Sequence, residues 1–479
     1  YDYYVAGDKW VIRRHLELFI NAGLDFICFD CSNDNIYTKA ANAFLEVAKE
    51  LQDLGYDVPK LMFMTNTDTF ARTEEIYRNY YRDGTYDSLW FRGNGEKPWI
   101  LSHANQLGGL DSEISSYFYF KRAQWPNAAT NTNNFPCMSW SYPQDTYQDS
   151  QVGKIMSVSV AEHVGISGNQ AVRADFSDSG LCAPYNFDTL SETAISVLTN
   201  LGAKRNMSAK EYANLVYNAN WGRGFSHEDN VNDPDRVNEN INFEEQWATA
   251  LDESRDITLV FVTGWNEWIA GRWKSDTFSR EKGWSMTIRS EEGENTIIAP
   301  GYTDRPIVFV DCCDLEYSRD IEPMSGGYFD NYYLQLCQNI RRFKGAKALP
   351  IPEDSHTILM DGSFSQWDQV NFGYRDYVGG NVHREAMGYG RVVYRNTTAV
   401  NDLHQMKVAS DSEALYFYAE CAAPVQDKGN CMLLYLNTGA EGESFQGYVY
   451  RVRPGKAADR TAQLERFQQG AFVPRGQVD

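Results

Sequence analysis

The stretch of this sequence best suited to chemistry is Thr263-Gly264-Trp265-Asn266-Glu267-Trp268, which closes the apolar run ITLVFVTGWNEW at 257–268. Apolar walls disfavour the charged form of a carboxyl and raise its pKa, so a glutamate held between Trp265 and Trp268 can keep a proton at neutral pH and deliver it. The indole faces can stack on a sugar ring, and Asn266 can hydrogen-bond a hydroxyl. The competing account is a strand-end glutamate in a salt bridge, flanked by core tryptophans. Cleavage of a glycosidic bond needs more than one such group. An acid protonates the leaving oxygen while a second group serves as base, nucleophile or charge stabiliser.

Other apolar runs end in candidates for that second group. KIMSVSVAEH at 154–163 ends in Glu162, the first choice of partner, with His163 beside it. LDFICFD at 24–30 ends in Asp30, the next choice, with Ser32 and Asn33 beyond as polar groups for a sugar. PIVFVD at 306–311 ends in Asp311, followed by a charged loop holding Glu316, Arg319 and Asp320. His103, Trp125 and Trp140, after PWILS at 98–102 and at or beyond the end of YFYFKRAQW at 117–125, are candidates for substrate contact. Each has an ordinary alternative as turn former, helix cap or packing residue.

These residues need elements that bring strand ends together. Seven short apolar runs, the six above and LMFMT at 61–65, are continuous rather than alternating, as strands buried on both faces are. Amphipathic segments at 38–54, 73–82 and 329–346 read as helices between or after them. Alternation of strand and helix predicts βα units, and a TIM-type (β/α)8 barrel over 1–347 is favoured, with its sites at the carboxyl ends of the strands. The eighth strand is expected upstream of Tyr1 or poorly marked, since the helical residues 9–22 have no strand before them. An open doubly wound sheet is the alternative, but no GxGxxG loop follows any strand. A Pro-containing linker spans 348–355. Beyond it, 356–479 alternates in short strands (HTILMDG, GRVVYRNTT, HQMKVASD, ALYFYAEC, CMLLYLNT, GYVYRVR) and reads as an all-β sandwich, with no obvious closing strand in FQQGAFVPRGQVD.

Composition narrows the partners. The net charge of −21 repels phosphate backbones and anionic lipid, which argues against nucleic acid and for a neutral or cationic substrate. The 14% aromatic share suits carbohydrate as well as a large core. No run is long and apolar enough to span a membrane. Cys28 and Cys31 form a CxxC pair, but no second pair follows at zinc spacing, and core thiols in a reducing or anaerobic setting are expected. The acidic stretch at 229–235 has Pro234 where a calcium loop needs Gly and Asn240 where it needs a bidentate Glu, so it reads as a solvated turn. No metal and no organic cofactor are expected. The opening Tyr-Asp-Tyr-Tyr reads as the middle of a domain, so the missing signal peptide says nothing about secretion.

With these residues in hand, VFVTGWNEWIAGRW, VFVD…EYSRDIEPM and FDNYYLQLCQNIRRFKG together resemble the barrels of glycoside hydrolase families 71 and 99. The resemblance implies hydrolysis of α-linked glucans or mannans, and an extracellular or periplasmic place for a bacterial enzyme of this kind. The family 99 motif is similar to N-E-W-x-E-G. Asn266, Glu267, Trp268 and Gly271 match it, but Ala270 stands where the second catalytic glutamate belongs. Glu267 is therefore the carried-over carboxylate, and any partner must come from another strand. The same departure keeps a non-catalytic glycan-binding barrel in play. Asp361-Gly362 with Trp367, and the later run SDSEALYF, resemble β-sandwich carbohydrate-binding modules of family 9.

Overall fold

The computed structural model describes the chain outside residues 1–3, 103–108, 126–129, 138–140, 163, 168–169, 174–186, 190–191, 204–205, 213–220, 267–271, 275–283, 291–292, 300–306, 310–318, 325–326, 347, 349–350, 352–353, 378, 380–383, 388–392, 397–399, 427–431, 440 and 456–459. Two compact units divide it, with bodies Ala6–Ala346 and Lys347–Asp479. The first is mixed α/β with a parallel sheet, and the second is made of antiparallel sheets.

In the first unit, α1 (Lys9–Ala22) begins where the Asp8 carboxylate accepts the Trp10 N–H at 3.0 Å. β1 (Phe26–Cys31), α2 (Thr38–Asp53), β2 (Lys60–Thr65), α3 (Thr69–Ile76), β3 (Trp99–Leu101) and β4 (Tyr119–Lys121) follow. The four strands are hydrogen-bonded in chain order and all parallel. β5 (Tyr147–Asp149) runs antiparallel to β6 (Gly153–Ser159). β6 in turn pairs in parallel with the strand Leu259–Thr263, from Ile155 opposite Leu259 to Ser159 opposite Thr263.

Packing joins the two sheets. Alternate residues of their strands, among them Phe26, Cys28, Met62, Met64, Trp99, Leu101, Ile155, Leu259 and Phe261, meet in one apolar cluster. The opposite face of the β6 sheet, through Met156, Val158, Val260 and Val262, packs on the helices Ile241–Ala250 and Asn331–Lys344. Burial on both sides explains the unbroken apolar runs. The Trp99 indole N–H donates to Gln151 Oε1 at 2.9 Å, and the Tyr119 hydroxyl to Asp149 Oδ2 at 2.9 Å, so β3 and β4 start beside the start of β6. At the other end, Arg319 acts electrostatically on Asp30 while its carbonyl presses on Gly264. The carboxyl ends of both sheets thus face the same way.

A buried group of hydroxyls fixes the ends of β2 and β3. Thr65 Oγ1 lies 2.5 Å from Thr69 Oγ1 and 2.7 Å from Ser102 Oγ, and Thr73 Oγ1 lies 3.2 Å from Ser102 Oγ. All four side chains belong to the buried set. Ser102→Ala is expected to destabilise the first unit by about 1–3 kcal/mol, since it strands the Thr73 hydroxyl away from water. Urea unfolding measures this, and an unchanged midpoint would count against the network.

Several expectations need correction. The helix expected over 73–82 starts earlier, as α3, and continues through a π turn at Tyr77–Tyr81. The segment 117–125 is a strand only at Tyr119–Lys121, and Ser112–Tyr117 before it is helical. Within 306–311, Ile307–Phe309 pairs antiparallel with Arg272–Lys274 rather than joining a parallel sheet. An apolar triplet satisfies either direction, because hydrophobicity does not encode strand polarity. Two hairpins, Val164–Ser167 with Gln170–Arg173 and Trp284–Ser290 with Gly293–Ala299, were not expected.

In the second unit, Gly373–Arg375, Leu403–Ser410 and Leu415–Cys421 form one antiparallel sheet. Leu434–Leu436, Tyr450–Pro454, Ala462–Gln468 and Ala471–Val478 form another. Arg384–Met387 and Val393–Asn396 make a separate hairpin. The segment 356–362, expected as a strand, forms none. It hands over to a short 3-10 turn, Phe364–Gln369, that buries Trp367 against Tyr418 at 5.2 Å between ring centroids. The final residues do contain closing strands, contrary to expectation.

Candidate functional site

Asp30 stands in the register of Phe26 and Cys28, on the side of the shared cluster, at the carboxyl end of β1. The Ser32 N–H donates to its Oδ1 at 2.8 Å. Enclosure by protein pushes the Asp30 carboxyl above its ordinary range, opposed by the Ser32 hydroxyl and N–H and by the Arg319 guanidinium. Solvent nevertheless reaches this side chain, so the upward push is weaker than full enclosure would give. Asn33 is exposed in the turn just beyond.

Glu162 lies three residues past the end of β6 and is 1% exposed. Its backbone exchanges two hydrogen bonds with Trp221, N–H to O at 2.7 Å and O from N–H at 2.8 Å. Around this bridge the helix Ile241–Ala250 presents Asn242 and Gln246 one turn apart. Gln246 Oε1 accepts the Ser159 N–H at 2.9 Å, and Gln246 Nε2 donates to the Ser159 carbonyl at 2.7 Å and to Asn242 Oδ1 at 3.0 Å. His227 Nε2 lies 2.9 Å from the same Asn242 oxygen. The imidazole stacks on Tyr142 at 3.7 Å and meets Trp221 edge-on at 4.7 Å.

Burial lowers the His227 pKa from 6.5 to about 4, with the Asn242 hydrogen bond pulling the other way. The neutral ring is favoured by the fold, so unfolding takes up a proton between those two values. Stability is then full above about pH 6.5 and falls as the pH drops toward about 4, by up to roughly 3 kcal/mol. In His227→Gln that acid-side slope is expected to flatten. Urea midpoints measured between pH 4 and 7 test this, and an unchanged slope would count against it.

Around the third strand end, Gly264 has φ +95° and a Cβ built there would lie 2.4 Å from the Arg319 carbonyl oxygen. The segment from Arg319 to Glu322 is laid along Gly264–Asn266. The Ile321 N–H donates to the Gly264 carbonyl at 3.1 Å, and the Glu322 N–H to the Trp265 carbonyl at 3.0 Å. Glu322 then uses both carboxylate oxygens. Oε2 accepts from Asn266 Nδ2 at 2.8 Å, and Oε1 pairs with His15 Nε2 at 2.9 Å. Arg223 braces the segment from behind. Its guanidinium sits 4.0 Å and 4.2 Å from the ring centroids of Tyr328 and Tyr332 and donates to the Asp320 carbonyl.

Trp265, expected to stack on a sugar, has its ring packed against the protein. It packs on Phe19 at 4.6 Å and His15 at 5.5 Å within the helix-side core. Trp125 is half-buried against the inner cluster. The geometry therefore brings together Asp30, Arg319 and the Gly264–Asn266 turn, and places Glu162 with Trp221 at the end of β6. Glu267, Trp268, His103, His163, Trp140, Asp311 and Glu316 lie outside the described residues. Residues not singled out from sequence are His15, Arg223, His227, Asn242, Gln246 and Glu322. The i, i+4 spacing of Asn242 and Gln246 is a signal for one polar face, but on a helix that pattern usually marks solvent. No family model, curated protein or solved structure matches this chain.

Proposed function

We propose that the first unit is a (β/α)8-type barrel and a glycoside hydrolase, cleaving a neutral oligo- or polysaccharide with Glu267 and a second carboxylate. One observation carries this reading. A four-stranded parallel sheet and the separately hydrogen-bonded parallel pair of β6 with Leu259–Thr263 share one inner cluster and turn their carboxyl ends the same way. Asp30, Glu162 and the turn leading into Glu267 therefore belong to one end of the unit, where parallel α/β proteins place their chemistry. Asp30 is the stronger partner, reversing the order expected from sequence, because solvent reaches it whereas Glu162 is 1% exposed. Asn266 is tied through Glu322 to α1, which gives the backbone entering Glu267 a fixed point.

In the second unit, Tyr374, Met406 and Phe417 share one side of their sheet and are 52%, 41% and 38% exposed. Such an apolar face supports a sandwich, in which a second sheet covers it.

The test is a panel of α-linked gluco- and manno-oligosaccharides, with β-linked ones as controls, analysed for products. Cleavage of at least one is the expected result. Binding without cleavage would replace the enzyme with a glycan-binding barrel, the outcome that Ala270 in place of a second glutamate would then explain.

A further inference from the structure

We infer that His227 is a substrate-binding residue whose Nδ1 accepts a hydrogen bond from a hydroxyl of a neutral sugar; this rests on the glycosidase reading and adds a subsite residue to it. The case begins at the backbone of β6. Ser159 offers one N–H and one carbonyl to Gln246, which fixes the amide of Gln246: its oxygen takes the N–H at 2.9 Å and its nitrogen gives to the carbonyl at 2.7 Å. The second hydrogen of that nitrogen goes to Asn242 Oδ1 at 3.0 Å. Asn242 is fixed in turn, because its Nδ2 donates to the Val160 and Trp221 carbonyls at 3.3 Å and 3.4 Å. The atom facing His227 Nε2 is consequently an amide oxygen, which only accepts. Nε2 must carry the proton.

In a neutral imidazole that leaves Nδ1 as a bare acceptor. Among the described residues no donor meets it. The ring cannot turn away to find one. Tyr142 lies flat against it at 3.7 Å and 14°, Trp221 and Phe225 abut it edge-on at 4.7 Å and 4.8 Å, and its own backbone N–H is held by Glu245 Oε2 at 2.8 Å. A half-buried polar edge held in one tautomer by two successive side chains, Gln246 and Asn242, is organised for a ligand, since that order is spent on an acceptor that no described residue uses.

The surroundings select the ligand class. The complement of Nδ1 is a donor. The nearby carboxylate of Glu245 and the overall charge of −21 disfavour anions. Tyr142, 38% exposed, and half-buried Trp221 add aromatic surface beside the acceptor. A hydroxyl-bearing, uncharged sugar meets all three conditions. The position also fits: Trp221 is bridged by its backbone to Glu162, just past the carboxyl end of β6.

The test uses the full chain carrying Glu267→Gln to stop turnover, labelled with nitrogen-15 at histidine, and the oligosaccharide panel as the probe. Long-range proton–nitrogen spectra at pH 7, with the His227 signals assigned by their loss in His227→Gln, are expected to show the Nε2–H tautomer. Addition of a bound oligosaccharide is expected to shift the Nδ1 signal. His227→Gln keeps a donor toward Asn242 but removes the Nδ1 acceptor, and should weaken binding about tenfold. His227→Asn keeps an acceptor near the Nδ1 position and should stay within about threefold of the parent. An Nδ1–H tautomer, or unchanged affinity in His227→Gln with the fold intact by circular dichroism, overturns this inference while leaving the glycosidase reading standing. No binding by any oligosaccharide overturns both.

Discussion

Replacing Glu267 by glutamine is expected to lower turnover of a cleaved oligosaccharide by on the order of 10²–10⁴-fold, with KM and the unfolding midpoint little changed. Glutamine keeps the size and the hydrogen-bonding reach of the side chain but cannot give or take a proton. The loss then falls on kcat, because the contacts that hold the ground-state sugar are preserved while those specific to the transition state are removed. Asn266 is the control one residue earlier. Its amide is held by Glu322, 2.8 Å away, in a cluster with His15 and Trp265, so its effect passes through position rather than proton transfer. Initial rates on the cleaved oligosaccharide settle the matter, and full activity in Glu267→Gln would remove the glutamate from the chemistry. The same assay with Asp30→Asn and Glu162→Gln identifies the partner, with Asp30 expected to show the larger loss because water can reach it.

How much of this is legible in the sequence depends on how each element is stabilised. β1, β2, β3, β6 and Leu259–Thr263 lie within the segments expected of them or within one residue, because strands covered on both faces leave continuous apolar runs. The helices Thr38–Asp53 and Asn331–Lys344 were equally plain from their amphipathic spacing. The last strand is hidden for a physical reason. Ala471–Val478 contains Pro474 and Gly476, which argue against a strand, yet a register irregularity at Leu464/Glu465 falls opposite Pro474 and accommodates it. Its turn, Gln469-Gly470, has φ of +51° and +76° at its two residues, a hairpin geometry that glutamine seldom announces. The hairpin joining Ser167 to Gln170 did carry a signal in Gly168-Asn169 and was legible in principle.

Candidate residues at strand ends were legible for the same reason the strands were. Their partners were not, because those partners are brought in from far along the chain. Glu322 and His15 are 307 positions apart, and Gln246 and Ser159 are 87 apart. No local pattern encodes such pairs. His227 shows the difficulty well: a lone histidine in an acidic turn has no sequence signature of its tautomer, which is set only when Asn242 and Gln246 line up behind it.

Gly264→Ala is expected to destabilise the first unit by roughly 3 kcal/mol or more, and to do so for a reason that no ordinary left-handed glycine shares. Backbone strain is the smaller part. Gly23 also has a positive φ, +80°, but a Cβ there would meet nothing closer than Ile340 Cγ2 at 3.8 Å, so Gly23→Ala should cost about 1 kcal/mol. At Gly264 the new methyl would lie 2.4 Å from the Arg319 carbonyl oxygen, a backbone atom that cannot swing aside. The segment has little room to retreat. Arg223, stacked on Tyr328 and Tyr332, grips the Asp320 carbonyl, and the Tyr328 hydroxyl donates to the same oxygen at 3.1 Å. Any movement that relieves the overlap must lengthen the bonds from Ile321 and Glu322 to the Gly264 and Trp265 carbonyls and loosen the Glu322 hold on Asn266. Activity should therefore fall together with stability in Gly264→Ala, whereas Gly23→Ala keeps the activity of the parent. Urea unfolding of the two variants side by side decides it: if Gly264→Ala is no worse than Gly23→Ala, the close approach of Arg319 to this turn is not a feature of the folded protein, and Glu267 loses the support ascribed to Asn266 and Glu322.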